Sequence, residues 1–168
     1  KLLENGLTPN VIIGDMDSTT VDQNSFKGLY VKIIDQDNTD LDKAFEWCKL
    51  NNLSPLTVLG TSQLREDHTI GNLILLANYS DELDINFVTD YFTITCHHGK
   101  RSFTSFKQQL VSILPVEDIQ SITTEGLEFP LIDEPFPISS RGISNRATGH
   151  QFIITSSRKI WVFRSHSD

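Results

Sequence analysis

The sequence predicts an α/β half with a parallel sheet and crossover helices, followed by an all-β half arranged as a sandwich or barrel-like unit. Three observations predict it. From Val11 to about Val88, short apolar runs alternate with stretches of helical period. After Asp90 that period fades into β-branched and aromatic stretches broken by Gly, Pro and Ser. The charge divides at the same place: residues 1–90 hold 15 acidic and 6 basic side chains, residues 91–168 hold 7 and 8. A length of 168 residues is compatible with one domain or two small ones, and the change of character favours two, 1–90 and 91–168.

Taken in order, Lys1 to Gly6 reads as the last turn of a helix closed by glycine, so the natural chain is expected to start earlier. Val11–Ile13, Leu29–Ile34, Leu56–Leu59 and Ile85–Val88 are the predicted strands of the first half. Between the second and third, Leu41, Ala44, Phe45 and Cys48 form one helical stripe, with Thr39 and Asp42 placed as a capping pair. After the third, Ile70, Leu73, Ile74 and Ala77 repeat the spacing, and Asp67 or a neighbour is available to cap. In the second half Tyr91–Cys96 predicts a strand. Gln151–Thr155 and Ile160–Arg164 predict a hairpin turning over Ser156–Lys159.

Composition narrows the function. A net charge of −8 and a pI near 5.0 provide no basic field for nucleic acid or anionic membrane. No apolar run nears the ~20 residues of a membrane-crossing helix and no leader precedes the first strand, so an intracellular protein is expected. Cys48 and Cys96 read as packing thiols in a reducing compartment.

Three acidic clusters follow three predicted strands directly: Gly14-Asp15-Met16-Asp17-Ser18, Asp35-Gln36-Asp37-Asn38-Thr39-Asp40, and Gly60 through Arg65-Glu66-Asp67-His68. In a parallel sheet the carboxyl ends share one edge, where open α/β folds bind ligands. Two carboxylates ~6 Å apart at an effective dielectric of ~20 repel by about 3 kcal/mol. A divalent cation, Arg65 or protonation must compensate. Oxygen donors favour magnesium over zinc, and magnesium in turn bridges to phosphate; Arg65 offers a bidentate contact to phosphate. Turn and cap chemistry is the competing account of Thr39, Asp40 and Asp67, and of His68 beside them. Asp22, Asp42, Glu46, Asp81, Glu82 and Asp84 read as a solvated face. His97 and His98 point to opposite faces of a strand and cannot share an ion. With neither a P-loop nor a nucleophile elbow present, metal-assisted transfer without a protein nucleophile fits best.

These segments together resemble the thiamin pyrophosphokinase family. Pro9-Asn10-Val11-Ile12-Ile13-Gly14-Asp15-Met16-Asp17-Ser18 is similar to its Pro-Asp-x-x-x-Gly-Asp-x-Asp-Ser segment, and Asp35 through Leu41 to its Asp-x-Asp-x-Thr-Asp-Leu segment. Arg65-Glu66-Asp67-His68 with Asn72, then Glu125-Gly126-Leu127-Glu128-Phe129-Pro130-Leu131 and Gly142-Ile143-Ser144-Asn145, resemble three more in order. The resemblance implies a Rossmann-like parallel sheet domain followed by an all-β sandwich domain, in a cytoplasmic homodimer. It implies magnesium-dependent transfer of pyrophosphate from ATP to the thiamin hydroxyl, giving thiamin diphosphate and AMP. By resemblance Asp15, Asp17, Asp37 and Asp40 hold metal; Ser18, Asp37, Thr39, Arg65, His68 and Asn72 hold nucleotide or phosphate; Asp15, Asp17, Asp40, Arg65 and Asp67 form the catalytic surface. Asp40 or Asp67 would accept the hydroxyl proton, and Ser144 and Asn145 would bind thiamin across the dimer interface. Three departures stand out. The third loop has no glycine between Gly60 and Arg65, Gly142 replaces the family's Ser or Thr, and the chain begins after the position of an Asp-Gly segment. A non-catalytic thiamin- or nucleotide-binding module and a magnesium-dependent phosphohydrolase are the alternatives.

Overall fold

A computed structural model describes residues 5–15, 26–62 and 65–167. The chain divides into two compact units, Lys1–Leu53 and Ser54–Asp168.

In the first unit, β1 (Val11–Gly14) and β2 (Leu29–Lys32) pair in parallel, from Val11 opposite Leu29 to Gly14 opposite Lys32. β2 stops short of the predicted Ile34, which is 79% exposed. The chain there bends into a turn in which Asp35 accepts the Asp37 N–H at 2.8 Å. α1 (Asp40–Leu50) starts as predicted, with the Thr39 hydroxyl accepting the Asp42 N–H at 3.3 Å. Its apolar stripe buries Phe45, with Leu41, Ala44 and Cys48 half-buried beside it. Gly6 has a positive φ of 73°, as a helix-closing glycine does; Lys1–Glu4 lie outside the described residues.

The second unit opens with β3 (Leu56–Leu59), α2 (Glu66–Tyr79) and β4 (Ile85–Val88), a parallel β3–β4 pair with the helix as crossover. β5 (Phe92–Thr104) follows, antiparallel to β4. The two parallel pairings are those expected, but they belong to separate sheets among the described residues. Only Thr89, Asp90 and Tyr91 join β4 to β5, too few for a crossover, so the sheet reverses direction there. Thr89 shapes the reversal by accepting the Phe92 N–H at 3.0 Å. β6 (Leu110–Pro115), β7 (Ile119–Glu125), β8 (Glu134–Phe136), β9 (Asn145–Arg146) and β10 (Gln151–Ser165) complete an eight-stranded sheet.

Two sequence expectations are corrected here. Of the expected α2 stripe Ala77 is buried and Leu73 half-buried, but Ile70 and Ile74 are 60% and 50% exposed, and Leu76 and Tyr79 are buried in their place. The Asn72 amide donates to the Thr61 carbonyl at 2.9 Å and the Trp161 indole donates to the Leu73 carbonyl at 3.0 Å, so the inward face is rotated toward Asn72 and Leu73. Nor does α2 have the predicted side-chain cap: its N-cap is Arg65, without a capping bond. The second correction concerns the C-terminal hairpin, which is instead one strand, β10, antiparallel to β5 over almost its whole length. Ser156-Ser157-Arg158-Lys159 contains no Gly, Asn or Asp for a tight reversal. It forms an irregularity in which the Ser156 hydroxyl donates to the Arg158 carbonyl at 2.7 Å. Ser157, Arg158 and Lys159 face His98 alone, and because two residues are inserted, not one, the pleat keeps its parity. Phe152, Ile154, Ile160 and Val162 therefore all face the core, with Val111, Ile113 and Ile122.

Candidate functional site

The first two acidic clusters lie in the first unit. β1 delivers Gly14 and Asp15 at its carboxyl end; Asp17 and Ser18 lie outside the described residues. A Cβ on Gly14 would stand 3.2 Å from Asp40 Oδ1, so the glycine leaves room for the Asp40 carboxylate near the end of β1. Asp35 is committed to the turn: it accepts the Asp37 N–H and, at 2.7 Å, the Asn38 amide. Those two bonds, with the nearby Lys43 charge, hold its carboxyl below the usual range. Asp37 and Asp40 are exposed at the rim.

Sequence reasoning offered Arg65 as the compensating cation and missed Lys43. Lys43, 5% exposed, pairs with Asp40 at 3.3 Å. The i,i+3 spacing of the two on one helix was the available signal. Among the described residues no group of three or more His, Cys, Asp and Glu is gathered closely enough to hold a metal ion.

The third cluster lies in the second unit, between β3 and α2. Arg65 grips Asp67 with two bonds, Nε to Oδ1 at 3.1 Å and the terminal nitrogen to Oδ2 at 2.6 Å. Asp67 also accepts the His68 N–H at 2.9 Å. The Arg65 bonds first, then the His68 N–H, bring the Asp67 carboxyl down to about 2, and the same pairing raises Arg65. Asn72 braces the loop through Thr61. Thr39 is a helix cap, and His68 contributes its backbone N–H to Asp67.

Ser144 and Asn145 sit by β9. Ser144 has φ +66° and donates its N–H to the Ser112 hydroxyl at 3.0 Å. The Asn145 side chain donates to the Phe129 carbonyl at 2.7 Å and accepts the Phe129 N–H at 3.0 Å and the Arg146 N–H at 2.8 Å. It thus clips the Gly126–Leu131 segment to β9 over a small cavity of about 90 Å³, walled in part by Phe129, Phe136 and Gly142. Gly142 is dictated by packing: a Cβ there would collide with the Ile113 carbonyl oxygen and stand 2.8 Å from the Phe136 ring. The missing hydroxyl is therefore a steric requirement of this chain.

His97 is buried and His98 exposed, the alternation expected of neighbours on a strand. Cys48 and Cys96 are free thiols, and burial pushes Cys96 up to about 11. No helix among the described residues is long and apolar enough to cross a membrane.

Residues 1–88 match the family description "Thiamin pyrophosphokinase, catalytic domain", and residues 93–161 match "Thiamin pyrophosphokinase, vitamin B1 binding domain". Thiamine pyrophosphokinase 1 of Arabidopsis thaliana is 41% identical over a segment covering 77% of this chain and 54% of that protein. Thiamin pyrophosphokinase 1 of Caenorhabditis elegans is 33% identical, covering 95% and 74%. The crystal structure of thiamin pyrophosphokinase from Geobacillus thermodenitrificans superimposes with a TM-score of 0.84 at 28% identity, over 99% of this chain and 81% of that one. The chain spans about half the length of the plant relatives it matches. Two successive domain matches, shared sequence identity and a shared fold agree that this chain belongs to the thiamin pyrophosphokinase family.

Proposed function

We propose that the protein transfers the diphosphate of ATP to the hydroxyl of thiamin, releasing AMP and thiamin diphosphate. One observation carries this reading: a catalytic-domain match and a vitamin B1-binding-domain match succeed each other along one chain. The reading divides the chain into a Rossmann-like domain, 1–90, and a sandwich domain, 91–168, and takes the working form as a cytoplasmic homodimer.

The donor set suits magnesium. Asp15, Asp17, Asp37 and Asp40 offer only oxygen, and the room that Gly14 leaves for the Asp40 carboxylate supports grouping it with Asp15. When bound, the ion supplies charge neutralisation to the phosphates. The chain's own residues do the positioning. Lys43 tethers Asp40 from one side and leaves its outer face open. Asp67 splays the Arg65 guanidinium, whose remaining N–H groups can take phosphate oxygens. With both oxygens of Asp67 engaged by Arg65, that carboxylate is not free to accept the thiamin hydroxyl proton. Asp40 takes that role in this reading and Asp67 becomes a positioning residue. In this reading Ser18, Thr39, His68 and Asn72 serve the nucleotide, and Ser144 with Asn145 serves thiamin.

Incubation with ATP, magnesium and thiamin tests the reading. AMP and thiamin diphosphate are expected to appear in step. Phosphate release independent of thiamin would point to a phosphohydrolase, and ligand binding without AMP to a non-catalytic module; either outcome overturns the proposal.

A further inference from the structure

We propose that the second unit carries an oxyanion site beside Phe103, where the Arg101 and Arg164 guanidiniums and the buried His97 ring take a phosphate group. None of these residues belongs to the acidic clusters or to the Ser144–Asn145 segment, and the site stands or falls independently of the diphosphate-transfer reading. Strand geometry brings the groups together. His97, Arg101 and Phe103 share one parity on β5 and so leave the same face, while Arg164 arrives from β10. Phe152 stacks on Phe103 with centroids 4.9 Å apart and planes 17° apart. On the remaining ring surface, the His97 centroid lies 5.2 Å from that of Phe103, and the Arg101 and Arg164 guanidinium carbons stand at 5.7 and 5.3 Å.

Attraction to the ring explains why one guanidinium sits over Phe103; it does not explain two cations with so little to balance them. Arg101 has a single carboxylate, Asp84 at 3.6 Å. Arg164 pairs with none among the described residues. Its one hydrogen bond runs from a terminal nitrogen to the Thr104 carbonyl at 3.5 Å, and its Nε is buried without a partner. Burial lowers the pKa of Arg164, and the charge that adds to the effect is another cation, Arg101. His97 is 7% exposed, and both its ring nitrogens lack a hydrogen-bond partner. A half-buried cation facing only like charge is costly, and so is an orphaned buried N–H. Water would answer the second cost but not the first; an anion answers both. The number of donors selects its kind. One guanidinium fork saturates a carboxylate, whereas two forks and an imidazole N–H call for a group with more than two oxygens. Arg101 keeps 40% of its side chain exposed, which gives the anion a way in from solvent, and Asp84, 55% exposed and beyond hydrogen-bond length, is free to yield.

Arginine side-chain NMR on the unmodified chain, without added metal and at fixed ionic strength, reads the site directly. Inorganic phosphate is expected to move the Nε–H resonances of Arg101 and Arg164 together and saturably, while acetate moves neither. Glycerol 3-phosphate titrated in parallel identifies the source: the tighter of the two probes shows whether the site takes the free anion or a phosphate ester, and either saturable response supports it. Arg164→Gln is expected to weaken the phosphate response of Arg101 at least about tenfold, as the loss of a hydrogen bond to a charged group does. Arg158→Gln, which removes a guanidinium paired instead with Glu117, should leave it unchanged. Shifts that rise linearly without saturation, an equal response to acetate, or a response of Arg101 and Arg164 that disappears in Arg65→Met would overturn the assignment. The titration of the unmodified chain decides the matter even where Arg164→Gln fails to fold.

Discussion

Arg65 and Asp67 are only two positions apart, and their paired hydrogen bonds engage both carboxylate oxygens of Asp67. A group near 2 is ionised throughout the neutral range. A ¹³C NMR titration of the Asp67 carboxyl is expected to show a midpoint near 2, and Arg65→Met to return it toward 3.8. An unmoved midpoint would show that the Arg65 grip is not its cause. The lowered value means that any stability from the pair is present above the ordinary aspartate range and lost as pH falls through about 2. Both side chains are exposed, so that contribution is small. At this scale the sequence revealed residue types better than duties. Asp15, Asp37 and Asp40 could be named because they follow strands, whereas the commitment of Asp35 to its own turn, and of Asn145 to Phe129, depends on backbone geometry that no spacing encodes.

Elements were legible where local pattern decides them. β1, β3 and β4 lie where short apolar runs predicted them, and α1 begins at its Thr39 cap. Prediction failed where distant partners choose the face or the length. α2 is turned by Thr61 and Trp161, and β5 and β10 extend because each supplies the other's ladder. The same long-range logic gives a test at the α2 terminus. The Lys159 ammonium donates to the Ala77 carbonyl at 2.7 Å and pairs with Asp81 at 2.9 Å, closing the helix's carbonyl end with a cation. Lys159→Met is expected to lower stability by about 1–2 kcal/mol in urea unfolding. Hydrogen exchange should quicken first in the last turn of α2. Uniform loss of protection would show that the contact does not anchor the helix.

For the molecule as a whole, stability should respond to pH through one buried ring. His97 is 7% exposed, packs on Phe103 with centroids 5.2 Å apart, and has no hydrogen-bond partner on either ring nitrogen. Burial, with the Arg101 charge adding to it, brings its pKa down to about 4. The unfolded chain, with an ordinary histidine, binds the proton first as pH falls. Stability is therefore complete above about 6.5 and declines toward 4, by on the order of 3 kcal/mol from this group. Urea midpoints measured from pH 7.5 to 4.5 should fall more steeply in the native chain than in His97→Gln; equal slopes would remove His97 as the cause. β10 has a different kind of consequence. It is hydrogen-bonded to β5, β6 and β7, all of which precede it in the chain. During synthesis these three strands leave the ribosome before the strand that joins them, so their edges wait open for one late arrival. Until β10 emerges those open edges are free to pair wrongly.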